Sequence, residues 1–391
     1  MLKRLTALAV MLLGLLLTPN TAHAYAWSVN HGYTTCATCH ADPGGGGLLT
    51  DYGRAQGEVF IRTPWAERGA DWEPGNAAQF AFGAVELPKW LLTGAVVRGG
   101  PARLSTPDTA PSVFPIVMQA DLRAQVTVGR VRAYGSLGAL PTGAAEEARV
   151  LRNDTVNLYS REHWLGVDVS GDLILRAGRM ALPFGNRILE HSAWARTSTR
   201  TDINADQQHG VNAHYGKGDW RAEVMGIAGN LQLSPAGYRE RGYSGLVEYS
   251  IGPKLVVGAS SLLTVAELDI QTLEPRTRQA HGLQVRSSPV QGLAILGEGH
   301  LLVDASDGSA PNLGSTGWVQ ADYEIVQGVH VAAAGEWLQQ DVGTSLGGWG
   351  SATWFFAPKT DLRVDYIHRQ NASLSGRTPS HMVLGQLHFS L

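Results

Sequence analysis

The sequence predicts an all-β protein, a transmembrane β-barrel of about 16 antiparallel strands preceded by a small N-terminal segment at or in the pore. From about residue 78 onward, polar and apolar residues alternate within segments of roughly ten residues. The connections between these segments are alternately short and long. Outside the N-terminal run from Leu5 to Leu17, no apolar run approaches the ~20 residues of a spanning helix. A membrane role of the rest of the chain would therefore require strands.

The N-terminus predicts export. Basic residues precede an apolar run from Leu5 to Leu17, and Ala22-His23-Ala24 supplies the small residues of a cleavage site. We expect residues 1–24 to form a cleaved signal peptide. An uncleaved membrane anchor is the alternative.

The next segment, residues 25–77, contains the only cysteines of the chain. Cys36 and Cys39 are separated by two residues, and His40 follows directly. This spacing is typical of haem c attachment, in which two thiols bind the vinyl groups and the adjacent imidazole binds iron. An exported protein also reaches the compartment where such attachment occurs. The motif therefore predicts one haem c, bound covalently by Cys36 and Cys39 with His40 as an axial ligand.

Three other chemistries remain open for this motif. A thiol redox pair would need a thioredoxin-like βαβ context, but four glycines follow at residues 44–47. A zinc site would need a further ligand at short range, and only His31 is available. A plain disulfide would also suit an oxidising compartment.

The sequence does not assign the second axial position of the iron. His31 lies five residues before Cys36 and is the nearest candidate. An open or water-ligated iron is equally allowed. Candidates further along the chain are His163, His191, His209, His214, Met118 and Met180.

Residues 78–391 supply the predicted barrel. After Trp318, the odd-numbered positions up to Ile325 are apolar, whereas Gln320, Asp322 and Glu324 are polar. Residues 361–366 alternate in the same way, with their charges on one side. Because a strand has a period of two, such segments present one apolar and one polar face.

The connections in this region match outer-membrane barrels, which have short periplasmic turns and longer outer loops. Short connections are predicted at Gly129, Gly171, Lys217-Gly218, Gly252-Pro253, Ser288-Pro289, Gly328 and Pro358-Lys359. Long connections are predicted at residues 99–113, 140–160, 182–206, 230–240, 265–277, 304–313, 340–346 and 371–379. The terminal residues 387–391 alternate apolar side chains and resemble an outer-membrane assembly signal.

Tryptophans would form the interface girdles of such a barrel. The candidates are Trp90, Trp164, Trp194, Trp220, Trp318, Trp337, Trp349 and Trp354. In the alternative, a soluble sandwich or propeller, the same residues would be core. No blade-like repeat supports that alternative.

The amino-acid composition limits the classes of partner that the chain can bind. The net charge is −3 and only 17% of residues are charged, so nothing indicates a nucleic-acid partner. The haem segment is also small for an independent cytochrome, because a core below about 70 residues seldom suffices alone. We therefore expect the barrel wall to cover the haem.

The combination of export signal, one CxxCH motif and about sixteen strands resembles the fused monohaem cytochrome–porins of the outer membrane. Trp27 and Gly32 before the cysteines, and Leu48, Leu49 and Tyr52-Gly53-Arg54 after them, carry the local likeness. The segment Ser28-Val29-Asn30 lacks the basic residue of that pattern, and the gap before Cys36 is one residue longer. The resemblance implies electron transfer through one haem c, including oxidation of extracellular Fe(II).

The leading hypothesis is therefore an outer-membrane electron conduit, and not a hydrolase or transferase. Its expected partners are outer-membrane lipid, a periplasmic cytochrome or other electron carrier, and an extracellular donor or acceptor such as Fe(II). A passive porin with a structural haem or CxxC cap is the alternative. A haem peroxidase or sensor is a third hypothesis and would require an open sixth position. Carboxylates in the predicted long loops could face Fe(II), namely those of Glu146-Glu147, Asp202 and Asp206, but the sequence assigns no iron site.

Overall fold

A computed structural model describes residues 28–29, 31, 33, 36–62, 75–107, 109–141, 149–152, 155–306 and 308–391. The predicted signal peptide lies outside these residues. Within them, no helix is both long enough and apolar enough to cross a membrane.

Antiparallel strands dominate the described chain because its alternating segments pair with their neighbours along the sequence. The strands are β1 (Leu91–Ser105), β2 (Ser112–Val128), β3 (Val131–Pro141), β4 (Arg149–Arg152), β5 (Val156–Tyr159), β6 (His163–Asp168), β7 (Leu173–Met180), β8 (Gln208–Lys217), β9 (Trp220–Gly229), β10 (Arg241–Ser250), β11 (Leu255–Ala266), β12 (Arg276–Val290), β13 (Leu293–Ser306), β14 (Asn312–Val326), β15 (Val329–Gln340), β16 (Gly343–Ala357), β17 (Thr360–Ser373) and β18 (Gly376–Ser390).

The sheet closes on itself, because β1 pairs with β2 on one side and with β18 on the other. Strands β5 and β6 both pair with β3, one after the other, and so form one interrupted strand of the wall. Strand β4 pairs only with β5 and lies outside the ring. The ring therefore has sixteen strands and the sheet one extra strand, which confirms the predicted barrel.

The two faces of the wall differ as the alternation predicts. On β14, Val319 and Tyr323 are exposed on the outer face, whereas Gln320 and Asp322 are buried in the lumen. On β17, Leu362 and Tyr366 point outward in the same way. The barrel thus has an apolar outer surface and a polar interior, the arrangement of barrels that stand in lipid.

The predicted short turns lie at one end of the barrel together with the C-terminus, and this end is here called the short-turn end. Four of the predicted connections need correction. The connections predicted as long at 340–346 and 371–379 are two-residue turns, because the strands on either side pair up to the turn itself. The predicted turn at Ser288-Pro289 lies inside β12, where the pairing with β13 shifts, and the chain turns after Val290. The predicted long connection at 99–113 is mostly strand, because Gly99-Gly100-Pro101 sits at a β-bulge of β1 and not in a turn.

One connection enters the barrel. Residues 181–207, here called the inward loop, join β7 to β8 and contain the short helix α2 (Trp194–Thr197). Ala193 and Ala195 within it are fully buried. Hydrogen bonds tie the inward loop to the wall at Glu298 of β13 and Glu336 of β15.

The N-terminal elements lie inside the barrel up to Phe60, whereas the two turns within residues 75–83 have no buried residue and contact Lys359 at the short-turn end. They are a 3₁₀ turn at Cys36–Thr38, the helical turn α1 (Asp51–Gly53), π-helical turns over Arg54–Phe60, and 3₁₀ turns at Gly75–Ala78 and Phe80–Gly83. Residues 36–62, here called the plug, contact the wall near the short-turn end: the side-chain amide of Gln327 donates to the carbonyl of Phe60 at 2.6 Å. Ser390, at the end of β18, donates to Glu58 at 2.5 Å.

Candidate functional site

The CxxCH motif folds as one tight turn. The backbone N–H groups of Cys39 and His40 both donate to the carbonyl of Cys36, at 3.2 and 3.0 Å. Thr50 holds the motif from the other side, because its N–H donates to the carbonyl of Cys39 at 2.9 Å. The Thr50 hydroxyl also caps the next helical turn by accepting from the N–H of Gly53. The two thiols and the imidazole are therefore positioned together.

Charged residues of the wall hold the plug in place. Asp42 accepts from Arg176 of β7 at 2.6 Å, and Arg176 also donates to Glu223 of β9 at 2.7 Å. Arg221 donates to Glu223 and to the backbone carbonyl of Gly44, both at 3.2 Å. All four of these side chains are buried. An ion-pair network on β7 and β9 thus binds the segment that directly follows His40.

A cavity opens between the plug and the inward loop. Its empty volume is about 1740 Å³, including the part that opens to solvent. Cys36, Cys39 and His40 line it from the plug, and His191 and Asn204 line it from the inward loop.

The two titratable groups of the motif that shift are both neutral near pH 7. Burial lowers the pKa of His40 to about 4, although nearby Asp42 and a hydrogen bond with the backbone of Gly46 act in the opposite direction. The neutral imidazole is the form that binds a metal ion. Burial, followed by the neighbouring Cys36, raises the pKa of Cys39 to about 11. That thiol therefore keeps its proton. In thioether formation, the S–H group would add across a vinyl group of the haem.

The remaining lining of the cavity is rich in arginine. Three carboxylates, Glu58, Glu162 and Asp361, face a larger set of guanidinium groups. These belong to Arg54, Arg62, Arg98, Arg123, Arg161, Arg187 and Arg363. An excess of arginine suits a ligand with carboxylate groups, because guanidinium pairs with carboxylate through two parallel hydrogen bonds.

These residues fit a haem c. The donor set consists of two thiols that are not joined to each other and one neutral imidazole, all on one cavity. A Cβ placed on Gly46 would meet no atom within 4 Å, so the cavity reaches the backbone beside His40. A Cβ on Gly45, in contrast, would lie 2.8 Å from the sulfur of Cys36. The glycine run therefore leaves room on one side while it packs against a thiol on the other.

The structure separates the candidate iron ligands. His31, named from the sequence, does not line the cavity; its Nε2 lies 2.7 Å from a carboxylate oxygen of Glu324 on β14. His163 and His209 contact each other, with 3.1 Å between their Nε2 atoms. His214 contacts Glu223, and Met118 and Met180 lie outside the cavity lining. Among all these candidates, only His191 lines the cavity.

Sequence reasoning missed one histidine of the cavity. His388 of β18 lines it, and its Nδ1 lies 2.8 Å from Asp361 of β17. The alternation along β18 could have identified His388, because it shares a face with the polar residues Gln386 and Ser390, which are buried in the barrel. Of the acidic loop residues considered for Fe(II), Glu146-Glu147 lie outside the described residues. Asp202 and Asp206 belong to the inward loop and contact each other through the Asp202 N–H.

Comparisons with known proteins support the barrel. No known family profile and no curated protein matches the sequence. Among solved structures, OmpT of Vibrio cholerae in its trimer form has a TM-score of 0.60 at 11% identity, covering 77% of this chain and 99% of that chain. The outer membrane channel DcaP of Acinetobacter baumannii has a TM-score of 0.57 at 14% identity, covering 77% and 97%. An anion-selective porin from Comamonas acidovorans has a TM-score of 0.56 at 12% identity, covering 77% and 99%.

At these identities the likeness concerns the fold alone. The described chain has the closed antiparallel barrel of the porins, which confirms the porin half of the predicted architecture. The cytochrome half stays a prediction.

Proposed function

We propose that this chain is an outer-membrane electron-transfer protein that carries one covalent haem c in the lumen of its porin-type barrel. The observation that carries the proposal is that Cys36, Cys39 and His40 line one cavity inside the barrel. A CxxCH turn on a free loop would carry less weight. Here both thiols and the imidazole face one space inside the barrel that is rich in arginine.

The surface of the barrel supports a position in the outer membrane. Apolar side chains cover its outer face, and Trp90, Trp220 and Trp354 are exposed close to the short-turn end. Aromatic residues at such a level match the girdle of a membrane barrel. Because bacterial barrels place their short turns in the periplasm, the plug would lie toward the periplasmic side.

Each residue of the site has a role in this proposal. Cys36 and Cys39 would form the thioethers, and neutral His40 would be an axial ligand. Arginines of the wall would bind the two propionates. Haem iron supplies a one-electron Fe(III)/Fe(II) couple. The plug and the inward loop line the cavity inside the barrel.

In this proposal electrons move inward, from an extracellular donor to a periplasmic carrier. An extracellular donor, with Fe(II) as the candidate, would lose one electron to ferric iron in the barrel and leave as the oxidised species. A periplasmic cytochrome or similar carrier would then take that electron at the short-turn end. Only an electron crosses the barrel, and no solute has to pass through it. The two partners therefore need access to the two ends of the barrel, but the lumen need not be an open channel.

A passive porin with a structural cap is the second candidate, and the likeness to channel proteins favours it. The plug distinguishes the two. Its buried ion pair with Arg176 and its contacts near Gln327 and Ser390 place protein in the path that a solute would follow. An electron-transfer protein should consequently show little conductance in a planar bilayer, whereas a passive porin should conduct.

The proposal is tested on protein extracted from outer-membrane fractions. We expect haem staining on a denaturing gel, a reduced-minus-oxidised c-type spectrum, and one haem per chain. The double variant Cys36→Ala/Cys39→Ala should lose the stain, whereas Ala37→Ser, an exposed position between the cysteines, should retain it. Addition of Fe(II) to oxidised protein should then produce the reduced spectrum. Wild-type protein that folds in the membrane without haem would contradict the proposal.

A further inference from the structure

His191 is the histidine that the inward loop presents to the cavity. The loop crosses the lumen from β7, and His191 is its one histidine. The same cavity receives His40 from the plug. The two imidazoles therefore belong to two different elements that face one space.

Hydrogen bonds fix which nitrogen of His191 carries the lone pair. Its Nδ1 lies 2.6 Å from a carboxylate oxygen of Asp202, which can only accept, so Nδ1 carries the hydrogen. Its Nε2 faces the side-chain amide nitrogen of Asn204 at 2.6 Å and the guanidinium of Arg98. Both groups donate, so Nε2 is the acceptor. A histidine that gives its other N–H to a carboxylate is the usual arrangement for a metal ligand.

The backbone around His191 is anchored on both sides. Glu190 accepts from Arg363 of β17 at 2.6 Å, and the carbonyl of Ser192 accepts from Arg369 at 2.6 Å. The N–H of Trp194 donates to Glu336 of β15 at 2.8 Å. Three consecutive anchors on the wall thus hold the ring in position, as a preorganised ligand requires.

His388 of β18 is the competing histidine, because it also lines the cavity and pairs with a carboxylate, Asp361. It lies close to His191, since it pairs in register with Arg98, whose guanidinium contacts His191. His388 belongs to the wall, two residues from Ser390, which contacts Glu58 of the plug. His191 belongs to a separate element that lines the cavity beside both wall and plug, and the test below compares the two histidines.

From this geometry we infer that His191 is the second axial ligand of the haem and binds iron through Nε2. The inference rests on the proposed function. Ligation would require Arg98 and Asn204 to release the Nε2 lone pair, and Arg98 would then be free to meet a propionate. The Nδ1–H bond to Asp202 would stay, so the loop would keep its fold when the iron is bound.

The test compares spectra of purified full-length proteins in the oxidised and reduced states. The wild type should be six-coordinate and low-spin, and it should not bind carbon monoxide. His191→Ala should keep covalent haem but become high-spin and bind carbon monoxide, and added imidazole should restore the low-spin spectrum. The matched control His388→Ala should behave as the wild type. If His191→Ala folds poorly, His191→Met should remain low-spin with a raised reduction potential, because thioether ligation favours ferrous haem.

The outcomes separate this inference from the proposed function. Wild-type protein without covalent haem would overturn both. A haem-loaded wild type that is already high-spin, or a low-spin His191→Ala variant, would overturn only the assignment of His191. A change to high-spin haem in His388→Ala alone would transfer the assignment to that residue and would likewise overturn the present one.

Discussion

Arg176 donates to Asp42 across the boundary between barrel wall and plug, with 2.6 Å between Nη1 and Oδ1 and both side chains fully buried. The two residues lie 134 positions apart in the sequence. Asp42 also accepts from the N–H of Gly44 at 2.7 Å, so one carboxylate organises the turn that follows His40 and fixes it to β7. The seating of the plug depends on this contact.

Asp42→Ala should therefore loosen the plug. A hydrogen bond to a charged group contributes about 1.5–3 kcal/mol, so the population of the displaced plug should rise roughly tenfold or more. Channel openings in planar bilayers measure this population directly. The exposed pair of Lys217 and Asp172 offers the control, and Asp172→Ala should leave openings at the wild-type frequency. Equal conductance of both variants would contradict the seating of the plug by Asp42.

Gly53 packs against the haem-binding turn more closely than any side chain would allow. A Cβ at this position would collide with the backbone carbonyl of Cys39, although its φ of −61° is ordinary helical geometry. Gly53→Ala should consequently displace Cys39 and lower the haem content per chain. Gly135→Ala of β3 is the control, because its Cβ would meet no atom within 4 Å and Gly135 does not line the cavity. A pyridine haemochrome assay on both proteins checks the prediction, and equal haem content would contradict it.

Asp202 should tune the reduction potential through His191. Although burial acts against it, His191 and further hydrogen-bond donors hold the pKa of Asp202 below its usual range, so the carboxylate stays ionised and draws on the ring N–H. An ionised acceptor makes the imidazole a stronger donor to ferric iron. Asp202→Asn should therefore raise the potential, by about 59 mV for each tenfold loss of preference for ferric iron. Redox titration measures this shift, and Asp361→Asn, beside His388, should not reproduce it.

The barrel could be predicted from the sequence because its signals are local. Alternation along one strand and turn residues at its ends decide the pairing of neighbours, and all sixteen strands of the wall pair in chain order. The cysteine motif is local as well. Its chemistry could be named because three residues within five positions carry it.

The contents of the lumen were harder to predict because they depend on contacts between distant residues. Trp164, Trp194, Trp318 and Trp349 were expected in the interface girdles, and that prediction was wrong: all four are buried inside the barrel. Trp318 shares a strand face with the polar residues Gln320 and Asp322, and this alternation indicated a position in the lumen. A single tryptophan, however, is typical of an interface girdle. Nothing in the sequence alone brings Asp42 to Arg176 or His191 to Arg98, since each pair depends on how a whole segment enters the barrel.

Asp269, in the connection between β11 and β12, should anchor the inward loop through its ion pair with Arg200. Burial raises the pKa of Asp269, but hydrogen bonds from Arg200 of the loop and from nearby backbone N–H groups outweigh it and hold the pKa well below its usual range. A depressed folded-state pKa contributes stability above the unfolded value of about 3.9, and this stability is lost as the pH falls through the folded value. The loop should thus stay anchored at pH 5 and loosen in stronger acid. Asp269→Ala should loosen it at pH 7 by about 1.5–3 kcal/mol, seen as faster amide exchange over residues 196–206. Glu267→Ala, which removes only the exposed pair with Arg241, should exchange at the wild-type rate; faster exchange in both variants would locate the anchor elsewhere in this connection.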